Sequence, residues 1–152
     1  MVNRNQKGKR VEREIAKLLT KATGDNWNRV LNSGGYATTT GTEEGRFRGD
    51  VFSDDWEDYC IEVKSTKKNI SISHFFSRKS RLFKYLNQLI EECGKDIPVL
   101  FIKINHRGIY VVYDQVNYSA VEDLIEEIDT EEIYATLVEP EEKRFWKINK
   151  IK

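Results

Sequence analysis

Cysteine and histidine are scarce in this chain, two of each. Cys60 and Cys93 lack the spacing of a zinc site, and two cysteines are too few for a disulfide framework, so they read as reduced thiols in the core. His74 and His106 have no Cys or His neighbour at ligand spacing, which argues against a zinc centre. No apolar run reaches transmembrane length. No signal-peptide pattern opens the chain, which starts polar and basic, so the expected compartment is the cytosol, that of the host for a phage-encoded chain. Internal repeats and dividing linkers are absent as well. A single domain is expected, with residues 1–118 as its core and 119–152 as a C-terminal extension packed on it.

A dominant charge is also missing, because 25 Lys and Arg balance 25 Asp and Glu over the 152 residues. The balance hides an asymmetry. Residues 1–118 carry 20 basic and 15 acidic side chains, and residues 119–152 carry 5 and 10. A basic body with an acidic tail suits a polyanionic ligand, although ordinary surface variation produces the same split. Hydrophobic residues make up 39% of the chain, and the aromatics include 7 Tyr and 7 Phe, enough for a packed globule.

The apolar pattern orders the chain. Val11, Ile15, Leu18, Leu19 and Ala22 fall on one stripe, predicting a helix over 8–23 that Gly24 stops. Residues 28–31 read as a short strand. From 32 to 49 no apolar period survives, and a loop of that length in a compact domain usually has a function. Val51 and Phe52 restart a strand, and 53–58 form a polar turn. Residues 59–64 alternate, with Tyr59, Ile61 and Val63 on one face and Cys60, Glu62 and Lys64 on the outer face. Together these strands make an antiparallel hairpin. A second helix is expected from about 77 to 93, then a strand covered on both faces over 97–104, a turn at 106–108 and a returning strand over 109–113. Ser119 with Glu122 resembles a capping box opening an acidic helix on Val121, Leu124, Ile125 and Ile128. The fold class is α/β, a mixed sheet flanked by helices.

Three residues of the hairpin carry chemistry. Glu62 and Lys64 leave the same face of one strand, and Asp50 sits at the base of its partner. Two carboxylates on neighbouring strands offer hard oxygen ligands to a magnesium ion. Such an ion activates water and neutralises charge developing on a phosphate, while a lysine beside it orients that water or takes its proton. The constellation fits phosphodiester hydrolysis. A surface ion pair explains Glu62 and Lys64 as simply, and the same spacing recurs at Glu141 and Lys143.

Gly49-Asp50, followed after eleven residues by Ile61-Glu62-Val63-Lys64, resembles the core motif of the restriction-endonuclease-like PD-(D/E)xK nucleases. The chain is more specifically similar to the archaeal-type Holliday junction resolvases, which phages also carry. Their G-x-x-x-E-R-E helix is matched by Gly8, Glu12, Arg13 and Glu14, and their I-E-V-K-x-T-K-K strand by residues 61–68. Their Arg and Ser ahead of the catalytic Asp are matched by Arg29 and Ser33, and their next core strand by 97–100. The resemblance implies magnesium, replaceable by manganese, on Glu12, Asp50 and Glu62, with Lys64 positioning the water. It implies that Ser33, Arg13, Arg29 and Lys67 hold the DNA backbone or help cleave it, and that a homodimer cuts a four-way junction. Helical spacing alone does not choose Glu12 over Glu14. Three departures stand out: Gly49 where the family often has proline, a longer loop between Ser33 and Asp50, and a C-terminal segment without a recognised counterpart.

Further DNA contacts are expected from basic side chains: Lys7 and Arg10 near the start, Arg46 and Arg48 in the loop, Lys68 after the catalytic strand. Arg78, Lys79 and Arg81 crowd the start of the second helix and Glu91 and Glu92 its end, against the helix dipole, as a phosphate bound at that start would explain. The acidic helix at 119–133 is expected to face away from DNA. Two other readings fit the same residues: a nuclease of this fold acting on a flap, a nick or a particular sequence, and a catalytically silent DNA-binding module.

Overall fold

The computed structural model describes residues 4–31, 49–66, 81–139 and 144–152. Seven strands form one mixed sheet in the order β1-β2-β3-β4-β5-β7-β6. The first helix, α1 (Arg4–Thr23), begins four residues earlier than the apolar stripe requires, and Gly24 closes it in the left-handed conformation by donating its N–H to Thr20 at 3.0 Å. β1 (Asn28–Arg29) pairs antiparallel with β2 (Val51–Phe52), which pairs antiparallel with β3 (Tyr59–Thr66). The chain then runs through α2 (Arg81–Cys93) to β4 (Ile97–Ile104), parallel to β3. This is a strand–helix–strand crossover, the connection that parallel neighbours need. β5 (Gly108–Asp114) returns antiparallel.

Two buried clusters sandwich the sheet. On one face Val11, Ile15 and Leu19 of α1 pack with Ile61, Val63, Val99, Phe101 and Val111, joined by Val121 and Leu124 of α3 (Val121–Glu127). On the other, Leu82, Leu86 and Leu89 of α2 pack on Cys60, Leu100, Ile102 and Val112. β4 is covered on both faces, as its continuous apolar run predicts. β3 is covered too, and this corrects the expected outer face of the hairpin. Cys60 and Glu62 alternate away from α1 but meet α2, and Glu62 is only 7% exposed.

Three further expectations need correction. Cys60 and Cys93 are not free thiols: they form a disulfide that fastens the end of α2 to β3. Their pairing arises from the packing of two distant elements, which cysteine spacing does not encode. The capping box does not form. Ala120 occupies the cap position without a side-chain bond, and the N–H of Glu122 goes to the Ser119 carbonyl instead. The acidic helix is short, and the chain beyond it is mostly strand. β6 (Thr130–Glu139) and β7 (Arg144–Ile151) extend the sheet, with β7 inserted between β5 and β6. Among the described residues, no helix is long and apolar enough to cross a membrane.

Gly49 decides how closely β2 approaches β3. Its φ is +83°, and an added Cβ would lie 2.6 Å from the Ile61 carbonyl oxygen. Proline, locked near φ −65°, cannot take this conformation, which accounts for the departure from the family motif at this position. Gly49→Ala is expected to destabilise the fold by about 1–3 kcal/mol in urea unfolding, and an unchanged midpoint would show that the approach is not tight. Reduction of the disulfide, which spans 33 residues, is expected to lower stability by about 3–4 kcal/mol on the chain-entropy model. Equal thermal midpoints with and without reductant would show that the bond does not form.

Candidate active site

Asp50 lies where β2 begins and is held from three sides. Its N–H donates to the Ile61 carbonyl at 2.7 Å, its carbonyl accepts from Val30 N–H at 2.8 Å, and its Oδ2 accepts from Val63 N–H at 2.8 Å. The last bond substitutes a side-chain acceptor for the ladder partner that the short β2 does not supply. Asp50 is thereby fixed beside the centre of β3, where Glu62 stands. The two carboxyl groups share a hydrogen bond.

Glu62 is pushed well above the usual carboxylate range. Burial is the main cause, followed by the charge of Asp50 and its hydrogen bond, then by the charge and hydrogen bond of Glu92 on α2. The charged side chains acting on this buried acid are thus themselves acids. Lys64, two residues on and half-buried, places its Nζ 5.6 Å from the centre of the Tyr85 ring on α2.

α1 brings the other acids. Glu12 meets Arg29 of β1, Oε2 to Nη1 at 3.4 Å, with both side chains largely buried. Its carboxyl is raised by burial first and by the charge of Asp50 second, against the lowering effect of Arg29 and Lys9. Glu14 instead points to Lys103 of β4, Oε2 to Nζ at 2.6 Å. The structure therefore separates the two glutamates that helical spacing left equivalent: Glu12 borders Asp50, and Glu14 belongs to a separate ion pair.

Of the remaining candidates, Arg10 and Arg13 are exposed on α1 and Lys7 is half-buried there. Arg29 is engaged with Glu12. Arg81 opens α2. Ser33, Arg46, Arg48, Lys67, Lys68, Arg78 and Lys79 lie outside the described residues. The sequence reading missed what Tyr85 and Glu92 do here. Their signal was present, since residues seven apart return to the same side of a helix, but it has meaning only once α2 is known to lie along β3.

The donor set suits a hard divalent cation. Asp50 and Glu62 offer carboxyl oxygens in contact, and a bound cation would offset the burial and the like charge that raise the Glu62 carboxyl. Among the described residues no group of three or more His, Cys, Asp or Glu side chains is gathered closely enough to hold a metal. Two carboxylates with water completing the shell is the arrangement magnesium commonly accepts.

Comparison with known proteins identifies the family. The chain is 34% identical over 119 residues to Protein D14 of Escherichia phage T5, covering 73% of this chain and 70% of that protein. No solved structure is a significant match. The model of a family described as "Phage putative PDDEXK endonuclease" matches residues 3–149, nearly the whole chain, including the Asp50, Glu62 and Lys64 on which the site is built. The protein belongs to this family of phage PD-(D/E)xK endonucleases.

Proposed function

We propose that this nuclease resolves branched DNA, four-way junctions above all, by magnesium-dependent hydrolysis, working as a homodimer that places paired symmetric nicks. The observation that carries the hydrolytic part is the hydrogen-bonded carboxyl pair of half-buried Asp50 and buried Glu62, with Lys64 two residues beyond it. The preference for junctions rests on the likeness of the α1 motif and the extended Glu-Val-Lys strand to the archaeal-type resolvases. Support comes from the way Glu12 of that helix motif borders the Asp50 of the strand motif.

Asp50 and Glu62 would hold the cation, with Glu12 alongside and manganese as a workable substitute. When bound, the ion supplies a Lewis acid and an activated water. The chain's own residues do the rest. The Val63 amide fixes Asp50 so that little reorganisation is needed when substrate arrives. Lys64 orients the attacking water and attracts the phosphodiester. Arg29 keeps Glu12 in place through their ion pair. Lys7, Arg10 and Arg13 on α1, with Ser33, Arg46, Arg48, Lys67, Lys68, Arg78, Lys79 and Arg81, are the proposed contacts to the DNA backbone.

Incubation with a synthetic four-way junction, a duplex and a flap, in magnesium or calcium, tests the reading. Paired nicks on the junction alone, only with magnesium, are expected. Cutting of the flap or duplex instead redirects the enzyme to another DNA target, and binding without cutting makes it a silent module. Asp50→Asn should bind junctions but cut at least about a hundredfold more slowly. Normal cutting by this variant would remove Asp50 from the centre.

The state of Glu62 predicts a pH dependence of stability in chelator. Its folded value lies above its unfolded value, so its stabilising contribution is complete below about pH 4.5 and is lost as pH rises toward the folded value. Glu62→Gln should therefore gain stability relative to the parent as pH rises from about 4.5 to 8, by at most about 1.4 kcal/mol per pH unit. A constant difference would show that Glu62 is not held protonated.

A further inference from the structure

α2 meets the catalytic strand along one flank. Tyr85, Gln88 and Glu92 recur at helical spacing on this flank, beside the buried stripe of Leu82, Leu86 and Leu89. The helix runs opposite to β3, so Tyr85 reaches Lys64 and Glu92 reaches Glu62. The Cys60–Cys93 disulfide, with Cα atoms 5.6 Å apart, pins the last turn of α2 against the strand immediately beside these contacts. Gln88 Nε2 donates to Glu92 Oε1 at 2.9 Å and directs that carboxyl. Local helix stability does not account for the placement. Glu91 and Glu92 occupy a last turn that holds no basic residue, where the dipole disfavours acids.

Glu62 supplies the independent observation. It is more than nine-tenths buried, and it hydrogen-bonds to two acids, Asp50 and Glu92, with no cation acting on it among the described residues. The carboxyls of Asp50 and Glu92 are thus linked through Glu62. The three are not a ring around one point, which agrees with the absence of a three-acid metal group among the described residues.

We infer that Glu92 is a further acidic residue of the cation site, placed beside Glu62 by α2 and the disulfide, where it acts on the ion through the ion's water shell. This inference rests on the proposed cation-dependent reaction. The charge of Glu92 adds to the negative potential at the site, and its carboxyl accepts hydrogen bonds from metal-bound water, as outer partners of a hard cation do. Glu91, exposed on the neighbouring position, carries the same charge without the contact to Glu62.

Calorimetric titration of the full chain with manganese, in the absence of DNA, separates these roles. Glu92→Gln should weaken binding about tenfold, Glu91→Gln less than about twofold, and Asp50→Asn should abolish it. Both glutamine variants change exposed side chains nearly isosterically, and their melting curves in chelator check that the fold is kept. Equal weakening by Glu91→Gln and Glu92→Gln would reduce the effect to general charge and overturn the assignment. So would wild-type affinity in Glu92→Gln while Asp50→Asn is dead, and this outcome leaves the nuclease reading standing. Absence of manganese binding by the unmodified chain would overturn both.

Discussion

One hydrogen bond organises this molecule: the Val63 amide donating to the Asp50 carboxylate. It replaces the rung that β2 is too short to provide, and so turns the end of a strand into the floor of a site. Everything acidic in the centre is placed relative to it. Glu62 is its neighbour along β3, Glu12 approaches it from α1, and Lys64 comes next on the same strand. The bond exists because Gly49 lets the backbone pass within contact of Ile61. A side chain there would push β2 outward and carry Asp50 away from the acid it must meet.

The site shows a conflict between folding and activity. A lone buried glutamate among other carboxyls opposes folding, and a hydrophobic residue at position 62 would pack better between Cys60 and the α2 stripe. The sheet tolerates the conflict because both helical layers are anchored independently. Ile15 and Leu19 hold α1 on one face, and the leucines of α2 with the disulfide hold the other. Tyr59 adds a further tie through its hydroxyl bond to the Ala120 carbonyl, at the entrance to α3. On the proposed cation-dependent reaction, a residue that destabilises its surroundings is tolerated because a bound metal would supply the missing charge.

The amino-acid pattern showed some of this and hid the rest for physical reasons. Alternation along 59–64 correctly put Glu62 and Lys64 on one side of a strand, and the apolar run at 97–104 correctly announced a strand covered twice. It could not reveal that Glu62 is buried, because burial depends on α2 returning over β3 from twenty residues away in sequence. Nor could it separate Glu12, which meets Arg29 and borders Asp50, from Glu14, which meets Lys103. β6 escaped for another reason. β6 shifts register between Glu132 and Tyr134 and again between Ala135 and Leu137, which breaks the two-residue period a strand needs to be recognised. The disulfide was hidden by its non-local origin.

The insertion of β7 between β5 and β6 has a consequence for the time course of synthesis. When residues 130–139 are added to the growing chain, their only sheet neighbour among the described residues has not yet been made. β6 must wait unzipped until 144–151 emerge and settle against β5, and only then does it find a partner. The candidate site is assembled from elements that precede residue 105, so all of its residues are made before β7 closes that rim.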